Sequence, residues 1–202
     1  MIFEMRTYRL QPGSVPAAEE RFEEGLKERV KVSPLGAFFH TEVGPLNHVI
    51  HIWPYEDLAH RTRVRAEKIP GWPPKIQEFI VEMESKIFNA APFCPAFTPR
   101  QYGGLYEIRT YTMLPGATQE VIDRWAEVIE GRTRLSPLAA CGYTELGPLN
   151  QWIHIWAYKD AAERFRIREE SRKGGKWPPA TRGKFVRQEN MLVVPASFSP
   201  LC

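Results

Sequence analysis

The stretch Gly44-Pro-Leu-Asn-His-Val-Ile-His-Ile-Trp-Pro-Tyr55 returns later in the chain as Gly147-Pro-Leu-Asn-Gln-Trp-Ile-His-Ile-Trp-Ala-Tyr158. Working outward from it, residues 3–65 and 106–168 share 29 identities in 63 ungapped pairs. This period is far longer than that of a solenoid unit, so each copy is expected to form a whole small domain. We predict two tandem domains, residues 1–98 and 99–202.

Each copy has the polarity pattern of one α+β unit. Alternating, β-rich segments predict strands, and apolar residues at helical spacing predict helices. The order β-α-β-β-α-β is that of the ferredoxin-like unit. In the first copy we predict strands at residues 3–10, 38–43, 48–54 and 84–89, and helices at residues 16–32, from Asp57, and after Trp72-Pro-Pro74.

One ferredoxin-like sheet is covered by helices on one face and leaves its other face open. Two tandem copies can cover each other, which also removes exposed sheet edges. We therefore predict an α+β fold in which two tandem ferredoxin-like βαββαβ units close their antiparallel sheets into one pseudo-dimeric barrel, with the helices outside.

Strand alternation divides the side chains between two sheet faces. A four-residue hairpin turn would place His40 opposite His51. One face then carries aliphatic side chains such as Ile50 and Ile52, which suit packing under helices. The other face is polar and aromatic, and it supplies the candidate ligand-binding residues Glu4, Arg6, Tyr8, His51, Trp53 and Tyr55, with Glu107, Arg109, Tyr111, His154, Trp156 and Tyr158 in the second copy.

This polar and aromatic set has two interpretations. In the first, it lines a ligand pocket in which His51 or His154 acts as acid or base and Arg6 or Arg109 holds an anion or a polarised carbonyl. In the second, it is a satisfied polar network that fixes the register of the two half-barrels. A cavity of a few hundred Å³ beside the tryptophans would favour the first interpretation.

A row of cations at helical spacing follows the hairpin in both copies, with Arg61, Arg65 and Lys68 in the first and Arg164, Arg168 and Arg172 in the second. A solvated helix face is the expected role of this row. An anion-binding stripe is the alternative.

Composition excludes several classes of protein. The formal net charge of +3 on 202 residues is too small to indicate nucleic-acid binding. No apolar run approaches the length of a membrane span, and we expect a cytoplasmic protein. The three cysteines lack metal-type spacing, and there is no P-loop, GxGxxG, GxSxG or HExxH motif, so neither a metal nor a cofactor is expected.

The strand Glu-x-Arg-Thr-Tyr, the Pro-Gly that follows it, and Gly-Pro-Leu-Asn-x-x-x-His-x-Trp-x-Tyr resemble the NIPSNAP family in both copies. The resemblance implies a dimeric α+β-barrel fold, whose wider superfamily is similar to cofactor-free monooxygenases, haem-degrading enzymes and lactone isomerases. Two residues depart from the family pattern: His48 replaces the usual Gln, and Trp152 replaces an aliphatic residue. They imply non-equivalent halves, in which a pocket need survive in only one.

The expected function is binding of a small, partly aromatic or apolar molecule in a sheet-face pocket, and enzyme activity is left open. The alternatives are a non-catalytic interaction or scaffold module and a cofactor-free monooxygenase or isomerase of the α+β-barrel type. The expected partner is the small-molecule ligand, and assembly beyond the pseudo-dimer within the chain is also left open.

Overall fold

The computed structural model describes all 202 residues. Each half follows the order β-α-β-β-α-β, and the first helix of the second half is split in two. No helix has the length and apolarity needed to cross a membrane. The elements are β1 Ile2–Leu10, α1 Val15–Val32, β2 Ala37–Val43, β3 His48–Tyr55, α2 Leu58–Ala66, β4 Ile80–Ala90, β5 Leu105–Met113, α3 Thr118–Ala126, α4 Ile129–Thr133, β6 Leu138–Leu146, β7 Gln151–Tyr158, α5 Ala161–Lys173 and β8 Phe185–Pro195.

The eight strands form one closed antiparallel barrel in the order β1-β3-β2-β8-β5-β7-β6-β4. Each half supplies four neighbouring strands. The halves join at two seams, where β2 pairs with β8 and β4 pairs with β6. This arrangement confirms the predicted pseudo-dimeric barrel.

The two seams differ most in side-chain size at one pair of equivalent positions, Phe39 and Gly142. Gly142 on β6 lies opposite Ala90, and an added Cβ would come within 2.3 Å of the backbone oxygen of Asn89. The equivalent residue of the first half is Phe39, which is fully buried in the barrel core. Glycine is therefore required where β4 and β6 approach most closely, whereas the other seam accommodates a phenylalanine.

The barrel interior is filled by the aliphatic face of both sheets. Its buried core contains Ile50 and Ile52 together with their counterparts Ile153 and Ile155. The expectation that this face packs under the helices is therefore wrong. Each sheet covers its apolar face with the equivalent apolar face of the other half, so the polar and aromatic face is the one beneath the helices.

The register of the first hairpin differs from the predicted one by two residues. Phe38 lies opposite His51, and His40 lies opposite Val49. The predicted pairing of His40 with His51 is wrong because the ladder between β2 and β3 ends at the pair His40–Val49, so the connection between the strands is longer than a four-residue turn. A shift of two residues keeps the side chains as far as Thr41 on their predicted faces. A β-bulge between Thr41 and Val43 then places Val43 opposite Leu192.

The helix predicted after Trp72-Pro-Pro74 does not form. The chain makes only a short 3₁₀ turn at Gln77–Phe79 before it enters β4. The prolines hold the preceding residues in extended conformations, and Ile80 already pairs with Leu10 of β1. The strand ladder therefore starts earlier than the sequence pattern indicates.

Helices α2 and α5 begin with the same capping contact. The Asp57 carboxylate accepts a hydrogen bond from the backbone N–H of His60 at 2.7 Å, and Asp160 does the same for Glu163 at 2.8 Å. We expect Asp57→Ala to lower the free energy of unfolding by about 1 kcal/mol, measured by urea denaturation. Asp57→Ser retains an acceptor and should lose much less. An equal loss in both variants would contradict the capping role.

Candidate functional site

The twelve candidate residues lie on the outer face of the barrel, each set beneath the helices of its own half. Tyr8, Trp53 and Tyr55 pack in one cluster with Phe22 and Leu26 of α1. Tyr111, Trp156 and Tyr158 pack in the equivalent cluster with residues of α3. The two sets are separated by the apolar barrel core, so they form two sites and not one.

A cavity lies between sheet and helices in each half. Its volume is about 360 Å³ in the first half and about 600 Å³ in the second. Ten of the twelve candidates line these cavities, and Glu4 and Glu107 do not. The further residues that line the cavities at equivalent positions include Arg29, Arg65 and Trp72 in the first, and Arg132, Arg168 and Trp177 in the second.

Glu4 is fully buried and is the centre of an ion cluster in the first half. Its carboxylate accepts two hydrogen bonds from Arg61, at 2.8 and 2.9 Å, and one from Arg6 at 3.0 Å. The Ser85 hydroxyl donates another at 2.7 Å. Burial raises the pKa of Glu4, but the bonds and charges of its partners outweigh burial and lower the pKa to about 2. Glu4 is therefore an anion at neutral pH.

Glu107 repeats this arrangement in the second half. It accepts hydrogen bonds from Arg109 at 2.5 Å, Arg164 at 2.6 Å and Asn190 at 3.0 Å, and Arg168 lies 3.5 Å away. Burial raises the pKa of Glu107, but the surrounding arginines lower it below its usual range. One carboxylate thus serves three arginines.

The arginine row of α2 and α5 forms the expected solvated face only in part. Arg61 and Arg164 are ion-paired to the buried glutamates. Arg65 and Arg168, one turn further along each helix, line the cavities. The expectation is therefore wrong for Arg61 and Arg164, because these helices lie over the polar and aromatic sheet face. The remaining cations of the row are partly or fully exposed, among them Arg65 and Arg172.

His51 and His154 are almost completely buried, with 1% and 2% of their surface exposed. The indole N–H of Trp53 donates to Nδ1 of His51 at 2.6 Å, and that of Trp156 donates to Nδ1 of His154 at 2.7 Å. An Nδ1 that accepts leaves the ring proton on Nε2, and Nε2 has no hydrogen-bond partner in either histidine. Each cavity thus has a buried N–H donor without an acceptor.

Both histidines are neutral. Burial lowers the pKa of His51 to about 3, with help from the Arg6 charge, and burial also lowers the pKa of His154 well below its usual value. The lone pair of Nδ1 is occupied by the indole N–H. A hydrogen-bond donor role therefore fits this geometry better than a general-base role.

Two residues of the site were missed by sequence reasoning. Arg29 and Arg132 are each only 4% exposed. Arg29 donates to the Tyr55 hydroxyl and the Ser33 carbonyl, each at 3.2 Å. Arg132 donates to two hydroxyl groups, that of Tyr158 at 3.1 Å and that of Ser136 at 2.8 Å. Neither arginine contacts a carboxylate.

A sequence signal for these two arginines exists. They occupy equivalent positions of the repeat, each four residues before a Ser-Pro-Leu that is also repeated. Charged residues elsewhere on the same helices mostly differ between the copies. An arginine retained in both copies on an otherwise variable charged face is a candidate for a buried role.

Each of these arginines lies against two tryptophans that meet edge to face. The Arg29 guanidinium carbon lies 4.2 Å from the ring centroid of Trp53 and 5.8 Å from that of Trp72. For Arg132 the distances are 4.1 Å to Trp156 and 5.6 Å to Trp177. Cation–π contacts of this kind hold the guanidinium in place without neutralising its charge.

The two departures from the family pattern lie outside both cavities. His48 sits at the hairpin, where its Nδ1 contacts the Leu46 carbonyl at 2.8 Å. Trp152 is fully buried against Phe93 and Trp125. The inference that these substitutions leave a pocket in only one half is therefore wrong, and a cavity is present in both.

Comparisons with known proteins agree with the repeat and the fold. The family model NIPSNAP matches residues 3–95 and again residues 106–200. The chain is 31% identical to the human protein NipSnap homolog 3A, in an alignment that covers all of this chain and 86% of that protein. Two solved structures, both called putative monooxygenases, have similar folds. The one from Lactobacillus acidophilus NCFM has a TM-score of 0.70 at 8% identity, covering 96% of this chain and 93% of that chain.

The second, from Fusobacterium nucleatum, has a TM-score of 0.69 at 10% identity and covers 96% of this chain and 91% of that chain. At these identities the likeness concerns the fold alone.

Proposed function

This chain belongs to the NIPSNAP family, and on that premise we propose that each of its halves binds a small organic anion with a flat, apolar part. The observation that carries the proposal is a buried arginine without a carboxylate partner in each cavity, Arg29 and Arg132. The ligand's anionic group would supply the missing negative charge.

The energetic argument starts from the cost of burying a charge. A buried cation that is not paired is strongly destabilising, and proteins rarely retain one without a reason. The hydroxyls and tryptophan rings around Arg29 and Arg132 orient these guanidinium groups but supply no negative charge. An anionic ligand group would offset this cost, and guanidinium groups bind carboxylates through two parallel hydrogen bonds.

The remaining walls fit the apolar part of such a ligand. Trp53 and Trp72 in the first half, and Trp156 and Trp177 in the second, present aromatic surfaces to the cavity. Both cavity volumes fall in the usual range for small-molecule sites, about 300–1,000 Å³. The unpartnered Nε2–H of His51 or His154 can donate to an oxygen of the ligand.

The scaffold alternative has less support. It requires the polar residues to join the two halves, but the partners of Glu4 come from the first half and those of Glu107 from the second. The oxygenase or isomerase alternative rests on the shared fold. It would need a catalytic base, whereas both histidines are neutral donors.

The test uses benzoate as the anion and benzamide as its neutral counterpart of similar shape. The indole N–H signals of Trp53 and Trp156, followed by ¹H–¹⁵N NMR, report on the two cavities separately. Benzoate is expected to shift these signals and to bind at least about tenfold more tightly than benzamide, a difference of one charge-assisted contact. Equal binding of both compounds, or no shift with either, would overturn the proposal.

Arg29→Met and Arg132→Met are the matched variants. Arg29→Met is expected to abolish the benzoate shift at Trp53 and to leave the shift at Trp156, and Arg132→Met the reverse. Because each substitution also removes a buried unpaired charge, the free energy of unfolding should fall by no more than about 1 kcal/mol. Loss of both shifts in one variant, with a large loss of stability, would indicate a structural role instead.

A further inference from the structure

We propose that the second cavity binds a phosphate-bearing small molecule, whereas the first binds a less charged anion. This inference rests on the proposed function and names the ligand class of one of its two sites. It starts from differences between the two cavities, which otherwise have the same residue types at equivalent positions.

The first difference lies on the helix above the cavity. Helix α2 ends at Ala66, and Glu67 and Ile69 then line the first cavity. Helix α5 continues to Lys173 and carries Arg172 one turn beyond Arg168, so that both line the second cavity. A longer helix thus adds a cation where the first half has an apolar residue and an acid.

The second difference lies after the Trp-Pro-Pro segment. Counting from that segment, Arg182 and Gln188 take the places of Gln77 and Met83. Thr181 likewise replaces Ile76. The second cavity is therefore more polar as well as larger, and it has room for an anionic group in addition to the flat part.

The resulting charge exceeds what one carboxylate can offset. Five arginines line the second cavity, and only Arg109 and Arg168 are paired with a carboxylate, the single one of Glu107. No carboxylate contacts Arg132, Arg172 or Arg182, and no acidic residue lines this cavity. The first cavity has three lining arginines and the acid Glu67.

Phosphate matches this excess of positive charge. A phosphate ester carries about two negative charges at neutral pH and offers three acceptor oxygens. Guanidinium groups bind phosphate oxygens in the same forked geometry that they use for carboxylates. Buried Arg132 at the cavity floor and Arg172 and Arg182 at its exposed rim could contact one ligand from two sides.

The test compares phenyl phosphate with benzoate, which share the ring and differ in the anionic group. Phenyl phosphate is expected to shift the Trp156 and Trp177 indole signals and to bind there at least about tenfold more tightly than benzoate. The exchange variant Arg172→Ile/Arg182→Gln gives the second cavity the rim residues of the first. It should weaken phenyl phosphate binding by about tenfold or more and leave benzoate binding at Trp53 unchanged.

The reciprocal variant Ile69→Arg/Gln77→Arg should strengthen phenyl phosphate binding at Trp53. All four substituted residues lie at the cavity rims and not in the core. An unchanged indole signal of buried Trp152 would show that the variants fold. Benzoate binding without any preference for phosphate, or an exchange variant that binds like the wild type, would overturn this inference and leave the proposed function standing. Binding of neither compound would overturn both.

Discussion

Glu4→Gln is expected to lower the free energy of unfolding by about 3 kcal/mol, toward the lower end of the range for breaking a buried ion pair. The substitution keeps the shape of the side chain and removes the charge that Arg61 and Arg6 share. The lower end applies because the side chains of Arg61 and Arg6 are 22% and 16% exposed, so that water can partly solvate their charges when the carboxylate is removed. The measurement is chemical denaturation at neutral pH.

Two controls separate the ion cluster from a general effect of removing acids. Glu84→Gln removes an exposed acid on β4 and should change stability by less than about 0.5 kcal/mol. In the double variant Glu4→Gln/Arg61→Met, the loss should be smaller than the sum of the two single losses, because the interaction is broken only once. Additive losses would contradict the cluster described here.

Acidification is expected to destabilise the protein well before its carboxylates are protonated. The pKa of His51 is about 3 in the folded protein, against an ordinary value of 6.5. Below pH 6.5 the unfolded chain therefore binds a proton that the folded chain excludes. The contribution of neutral His51 to the free energy of unfolding is complete above pH 6.5. It should fall by about 1.4 kcal/mol per pH unit as the pH decreases toward the pKa of His51 in the folded protein.

His154 acts in the same direction, because burial lowers its pKa as well. Glu4 adds a further loss at lower pH, between its ordinary value of 4.5 and about 2. His40 has the opposite sign, since Glu19 raises its pKa and its contribution is lost as the pH rises. That pair is partly exposed, so its effect is small.

The variant His51→Gln/His154→Gln isolates the histidine contribution. A glutamine oxygen can still accept the indole N–H of Trp53 or Trp156, but it does not titrate. Unfolding midpoints measured between pH 7 and about pH 4.5 should depend much less on pH in this variant. If the unfolding midpoint of this variant depends on pH as strongly as that of the wild type, the buried histidines are not the cause of the acid sensitivity.

The candidate site could be predicted in part from local pattern. Because side chains alternate along a strand, Glu4, Arg6 and Tyr8 had to share one face, and the repeat placed the same types on a face of the second copy. A register error of two residues did not disturb this, since parity alone decides the face. The roles assigned to these residues, and the domain boundary between residues 98 and 99, stay predictions.

Other features depended on what surrounds a residue in space. The repeat marks Arg29 as an arginine retained in both copies, but only the structure shows its burial and the lack of a nearby carboxylate. The same is true of His51, whose accepting Nδ1 and neutral state follow from Trp53 and from desolvation. Periodicity carries no information about such contacts.

The sequence by itself determined the repeat, the βαββαβ order, the barrel and the membership of each sheet face, because all of these follow from periods of two and 3.6 residues and from the offset of 103. Only the tertiary structure decided which face lies inside, since that depends on the surface each face meets. It also decided that five arginines line the second cavity and that only two of them pair with the Glu107 carboxylate, because charge balance is a property of neighbours in space.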